Sequence, residues 1–192
     1  MSLSLSRRQF LKASAAAGGG LVLEFSFPFS TTAADGAATE VNAWVVIHAD
    51  DRVVVRIARS EMGQGTYTAL AQLVAEELDC DWSNVSAEFA SPNEHIRRNR
   101  IWGSMSTGGS NGVRSSQDYV RKAGAAARTM LVQAAAKRWK VPLAECSVDK
   151  GLIIHQPSQR KLRYGQVAAE AARLDPPKDI SLRDARDWKI AG

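Results

Sequence analysis

The chain has 192 residues, 45% hydrophobic and 23% charged, enough for one compact domain or two small ones with a real core. Its net charge of +5 comes from lysines and arginines scattered along the chain, apart from the cluster HIRRNR at residues 95–100, so no basic stripe marks a nucleic-acid surface. The two cysteines, Cys80 and Cys146, allow one disulfide or two half-buried free thiols, and neither has a spacing that would hold zinc or an iron–sulfur cluster.

The first 34 residues read as an address. Arg7 and Arg8 stand side by side ahead of Phe10, Leu11 and Lys12, a short apolar run follows, and small residues close it at Thr32-Ala33-Ala34. That order predicts a twin-arginine signal at residues 1–34 and a periplasmic protein, with retention at the membrane as the alternative. Glycines and Glu24 interrupt the apolar run, which is too weak for a membrane span.

Residues 35–40 read as a linker, residues 41–175 as an α+β domain of small mixed sheets with two longer helices, and residues 176–192 as a tail without a core pattern. Two Val- and Ile-rich runs, 41–49 and 53–60, flank Asp50-Asp51 and predict a hairpin. From Tyr67 the apolar residues Leu70, Ala71, Val74, Ala75 and Leu78 fall on one helical face, which leaves Glu76 and Glu77 on the expected solvent side. A short strand is expected from Val85. Residues 92–112 read as a long loop, residues 113–140 as an Ala-rich helix stopped by Pro142, and residues 146–156 as a hairpin turning at Asp149-Lys150-Gly151. A short strand and a short helix follow before the tail.

Two segments carry chemistry. In EMGQGTYT, residues 61–68, a glycine turn joins a strand to a helix start, where free backbone N–H groups can face an anion. Gly63 and Gly65 admit a close ligand, Gln64 offers a paired donor and acceptor, and Thr66 and Thr68 offer hydroxyls. The spacing is neither a P-loop nor GxGxxG, and an ordinary strand–helix turn explains the bare pattern equally well. In GSMSTGGSNG, residues 103–112, the hydroxyls of Ser104, Ser106, Thr107 and Ser110 interleave with Gly108 and Gly109 ahead of the long helix; the alternative is a flexible linker. Two such cradles together point to a long, phosphate-bearing, heteroatom-rich ligand.

Residues 41–85, with their MGQG turn, resemble the start of the molybdenum-binding large subunit of the xanthine dehydrogenase/aldehyde oxidase family. The likeness is nearest to its exported branch of isoquinoline oxidoreductase beta subunits and membrane-bound aldehyde dehydrogenase large subunits. It continues through STGGS, GAAARTMLVQAAAKRW, VPLAEC and LRYG. The resemblance implies a molybdenum–pterin cofactor in its cytosine dinucleotide form, and oxidation of aldehydes or N-heterocycles with oxygen from water. It implies pterin contacts at Met62, Gly63 and Gln64, more loosely at Gly65 and Thr66, and contacts to the pterin and the phosphate or cytosine end at Ser106, Thr107, Gly108, Gly109 and Ser110. It implies as partners the remainder of a large subunit, a small iron–sulfur subunit and a membrane cytochrome c subunit, with no nucleic acid. None of Glu61, Glu76, Glu77 or Glu88 matches the family's catalytic glutamate motif, so no catalytic residue and no metal ligand is expected in this chain. A non-catalytic exported anion-binding or remnant module is the competing expectation.

Overall fold

A computed structural model describes residues 37–191, so the expected signal, Arg7 and Arg8 included, lies outside the described residues. Among the described residues seven strands and five α-helices form two small sheets around a central helix pair, the α+β arrangement expected. The first sheet holds β1 (Ala38–Asn42), β2 (Val45–His48), β3 (Val53–Ile57) and β4 (Val85–Phe89) in that order. The β2–β3 hairpin turns at Asp50-Asp51 as predicted, with Asp51 at φ 70°. The expected single strand over 41–49 instead breaks at Ala43-Trp44. The Asn42 carboxamide oxygen accepts the N–H groups of Trp44 (2.9 Å) and Val45 (3.0 Å), making the side-chain turn that lets asparagine reverse a chain. Strand β1 therefore begins at Ala38, inside the stretch read as linker, and pairs back on β2.

Strands β3 and β4 are parallel and joined through α1 (Thr66–Leu78), one βαβ unit in an otherwise antiparallel fold. The apolar face of α1 is buried on the sheet, as its spacing requires. Its other face is buried too, which corrects the expectation for Glu76 and Glu77: they are 2% and 0% exposed. Glu77 accepts from Arg121 Nε at 2.8 Å and from the backbone N–H of Arg183 at 3.0 Å. Glu76 accepts the backbone N–H groups of Lys189, Ile190 and Ala191. The tail, which has no apolar periodicity, is thus held by buried carboxylates through its peptide N–H groups.

The expected long loop contains α2 (Pro92–Arg97), capped by Ser91, whose hydroxyl accepts from Glu94 N at 3.4 Å. Beyond it Arg98 pairs with Glu40 at 2.6 Å, and the buried Trp102 donates its indole N–H to Ala43 O at 2.8 Å. The basic cluster is therefore partly internal, with Arg97 turned to Glu94. A four-residue helix, α3 (Asn111–Arg114), separates the second glycine loop from the long helix, which starts later than expected as α4 (Gln117–Trp139). Helix α4 packs on α1. The second sheet, β5 (Cys146–Asp149), β6 (Leu152–His155) and β7 (Arg160–Arg163), has the predicted turn at 149–151 and leads into α5 (Tyr164–Ala171). Both cysteines are free; Cys80 is fully buried rather than half-buried.

Candidate cofactor site

Strand β3 ends at Ile57, and residues 58–65 carry the chain to the start of α1. The glycines there answer a backbone demand: Gly63 lies at φ 97° and Gly65, at the N-cap of α1, at φ 76°, a region costly for residues with a Cβ. The turn does expose a row of N–H groups, but the protein fills it itself. Glu61 Oε1 accepts from Gly63 N (2.6 Å) and Gly65 N (3.0 Å), and Glu61 Oε2 accepts from Tyr67 N (2.9 Å). The amides of Tyr67 and Gly65 hold this carboxyl below its usual range. Gln64 also folds back: its oxygen accepts Met62 N at 2.6 Å, and its amide donates to Ser60 O at 2.8 Å. One amide hydrogen and one carbonyl lone pair of Gln64 remain for a ligand.

The second loop lies directly against the first. Ser60 N donates to Thr107 Oγ1 at 2.8 Å. Arg59, only 6% exposed, donates from Nε to Ser116 Oγ at 2.9 Å, and from one Nη to Ser106 O and, at 3.5 Å, to Ser104 Oγ. Tyr119 donates to the same Ser116 hydroxyl at 2.7 Å, and its ring sits 4.9 Å from that of Trp44. Where α1 meets the loop end, a Cβ on Gly112 would lie 2.6 Å from Thr66 Oγ1. Two segments about forty residues apart in sequence therefore form one surface.

Met62, Gly63, Gln64 and Gly65 are exposed on that surface, Met62 to 71%, beside exposed Ser106, Gly108, Gly109 and Ser110. Thr107 is half-buried with its hydroxyl engaged by Ser60, and Thr66 is 1% exposed beneath Gly112, so its hydroxyl faces the protein interior. Two expectations change. The N–H groups of the first loop are occupied by Glu61, and the second loop is not at the start of the long helix. Arg59 and Ser116 escaped the sequence reading; the only local signal was an arginine four residues ahead of Gly63.

The sequence profile of the molybdopterin cofactor-binding domain matches residues 7–190. The chain belongs to this family. It is 41% identical over 134 residues to the isoquinoline 1-oxidoreductase subunit beta of Brevundimonas diminuta, covering 69% of this chain and 17% of that protein. It is 33% identical over 202 residues to a membrane-bound aldehyde dehydrogenase of Gluconacetobacter polyoxogenes named for pyrroloquinoline quinone, covering 98% of this chain and 25% of that protein. The chain thus spans a quarter or less of the length of these curated relatives. Among solved structures, quinoline 2-oxidoreductase from Pseudomonas putida 86 aligns over 70% of the chain and 17% of its own, at 20% identity and a TM-score of 0.48.

The residues present suit a polar, heteroatom-rich ligand. A Cβ built on Gly63, Gly65 or Gly108 would meet nothing within 4 Å, so the loops present open, backbone-rich surface rather than packed interior. Beside it lies a buried arginine with no carboxylate partner among the described residues. Among those residues no group of three or more His, Cys, Asp and Glu is arranged to hold a metal ion. Glu61 is engaged by the loop amides, Glu88 by Arg56 at 2.9 Å, and Glu94 by Arg97.

Proposed function

We propose that this chain forms part of the cofactor-binding large subunit of a molybdenum hydroxylase that oxidises aldehydes or N-heterocycles with oxygen drawn from water. The carrying observation is the pairing of the two glycine-containing loops, through Ser60–Thr107 and Arg59, into one open polar face in a chain whose residues 7–190 match the molybdopterin-binding family. When bound, the molybdenum–pterin group supplies the redox chemistry. The chain's own residues bind and orient it. Met62, Gly63, Gln64 and Gly65 offer backbone and one carboxamide to the pterin. Ser106, Thr107, Gly108, Gly109 and Ser110 line the side towards the phosphate or the cytosine dinucleotide end. Thr66 supports the first loop from beneath.

We assign no proton-accepting carboxylate among the described residues: Glu61 is held by the loop amides, Glu88 by Arg56 and Glu94 by Arg97. Electrons leave through a separate iron–sulfur subunit, and from there to a membrane cytochrome c subunit. The assembly is periplasmic and exported by the twin-arginine route, with retention at the membrane as the alternative. The relative named for pyrroloquinoline quinone brings a second redox cofactor into view; the domain profile favours the pterin. The test is metal and pterin analysis of the chain purified with its partner subunits, alongside dye-linked oxidation of aldehydes and N-heterocycles. Stoichiometric molybdenum and pterin with turnover in the assembly, and no turnover by the 192-residue chain alone, is the expected result. An assembly that is active without molybdenum would refute the reading.

A further inference from the structure

Arg59 stands at the start of the first loop and its guanidinium reaches the second, bringing a full charge between them. It is 94% buried by its 6% exposure, and it takes part in none of the ion pairs among the described residues. Its Nε and one Nη are bonded to Ser116, Ser104 and Ser106 O; its other Nη has no partner among the described residues. Buried charges are ordinarily paired, because the protein interior solvates them poorly. Four other partly buried arginines do pair with carboxylates, Arg56 with Glu40 and Glu88, Arg98 with Glu40, Arg121 with Glu77 and Arg183 with Asp79, while half-buried Arg128 of α4 is in none of these pairs but lies away from both loops, against Val148 and Arg183. Meanwhile the loop amides, the other anion-attracting feature of the site, are taken by Glu61. A second anion placed there would meet the Glu61 charge.

We propose that Arg59 is the anion receptor of the site: its guanidinium, held rigid by Ser116 and Ser106, meets an oxyanion group, phosphate or carboxylate, of the ligand that the two loops bind. The inference rests on the proposed ligand-binding role of the loops and relocates their charge recognition from backbone amides to one side chain. Arginine suits the task, since two edges of the fork can be fixed by protein while the remaining N–H groups face a planar or tetrahedral oxyanion. The neighbouring hydroxyls of Ser104 and Ser106 complete the hydrogen-bonding surface on the second loop.

The experiment titrates inorganic pyrophosphate into the cofactor-free full chain by calorimetry at low salt. Wild type is expected to bind saturably. Arg59→Met should weaken binding at least about tenfold, as expected when a charged hydrogen-bond partner is lost. Lys122→Met removes one exposed charge of α4 that lies outside both loops, so it should keep binding within about threefold, a change under 0.7 kcal/mol. If Arg59→Met fails to fold, the side-chain Nε–H resonance of Arg59 in wild type decides instead, by shifting along the titration. Absence of saturable binding by wild type, unchanged binding in Arg59→Met, or an unmoved Arg59 resonance would overturn the proposal. A Lys122→Met loss as large as that of Arg59→Met would make the binding general charge attraction only and also overturn it. Molybdenum and pterin content of the assembled enzyme reads the functional proposal separately, so either can fail alone.

Discussion

Gly124 of α4 faces the backbone of α1 so closely that a Cβ there would lie 2.6 Å from the carbonyl oxygen of Val74 and 3.0 Å from Glu77 Cβ. The absent side chain sets how near the two central helices approach. Gly124→Val must push them apart or strain both, and overpacking of this kind costs about 1–3 kcal/mol, more than the helix-propensity gain over glycine. Denaturant unfolding should show that loss, while Lys122→Ala on the exposed side should stay within about 0.5 kcal/mol. Unchanged stability in Gly124→Val would mean the helices are not in contact there.

Glu61 gives the first loop its shape in the absence of ligand. Glu61→Ala should accelerate hydrogen exchange at Gly63, Gly65 and Tyr67, with helical content unchanged. The carboxyl is depressed below its reference value of 4.5 by the amides it accepts, so the loop protection it confers is present above that value. Protection should fall away as pH drops through the lower folded-state value, once intrinsic exchange rates are corrected. Slow exchange at these three amides in Glu61→Ala would remove the role.

Gln64→Ala and Gly109→Val should each lower molybdenum and pterin content in the assembled enzyme without unfolding the domain. The first removes both the internal brace of the loop and its remaining polar contacts, worth roughly 1–3 kcal/mol if a ligand group is left unpaired. The second forces a branched side chain to φ 58° on the ligand-facing loop. Full cofactor occupancy in both variants would show that the ligand lies elsewhere.

The two thiols should respond differently. Burial pushes Cys80 up to about 12, and Cys146 is raised more modestly at a partly exposed position. A thiol reagent at pH 8 should label Cys146 in the native chain and reach Cys80 only after unfolding. Native labelling of Cys80 at a comparable rate would mean that the α1 terminus opens readily.

Replacing Arg7 and Arg8 with lysine should leave the protein in the cytoplasm with its first residues uncut. Fractionation followed by N-terminal mass spectrometry reads both properties. Unchanged export of the double variant would remove the twin-arginine assignment.

The local pattern carried most of the elements. The period of Leu70, Val74 and Leu78 marks α1, and the turn pairs Asp50-Asp51 and Lys150-Gly151 mark two hairpins, because each of these is decided within a few residues. The burial of Glu76 and Glu77 was not legible. Their partners are backbone N–H groups and one arginine side chain, 44 to 115 residues away, and no spacing near position 76 announces them. The site divides the same way. Glycine at positive φ leaves a mark in sequence, so both loops could be found; the filling of the first by Glu61, and its tie to the second through Arg59, depend on tertiary placement.

The grip of Glu76 on residues 189–191 also bears on the order in which the molecule takes shape. A carboxylate sealed beneath α1 before its N–H partners arrive would be desolvated and unpaired, a state several kcal/mol unfavourable. Helix α1 can therefore settle against the sheet early, but its outer face closes only after more than a hundred further residues have been made and have returned to it. The helix that follows the glycine turn is completed by nearly the last residues described, and that long-separated contact makes the final packing of this region late and slow rather than local and fast.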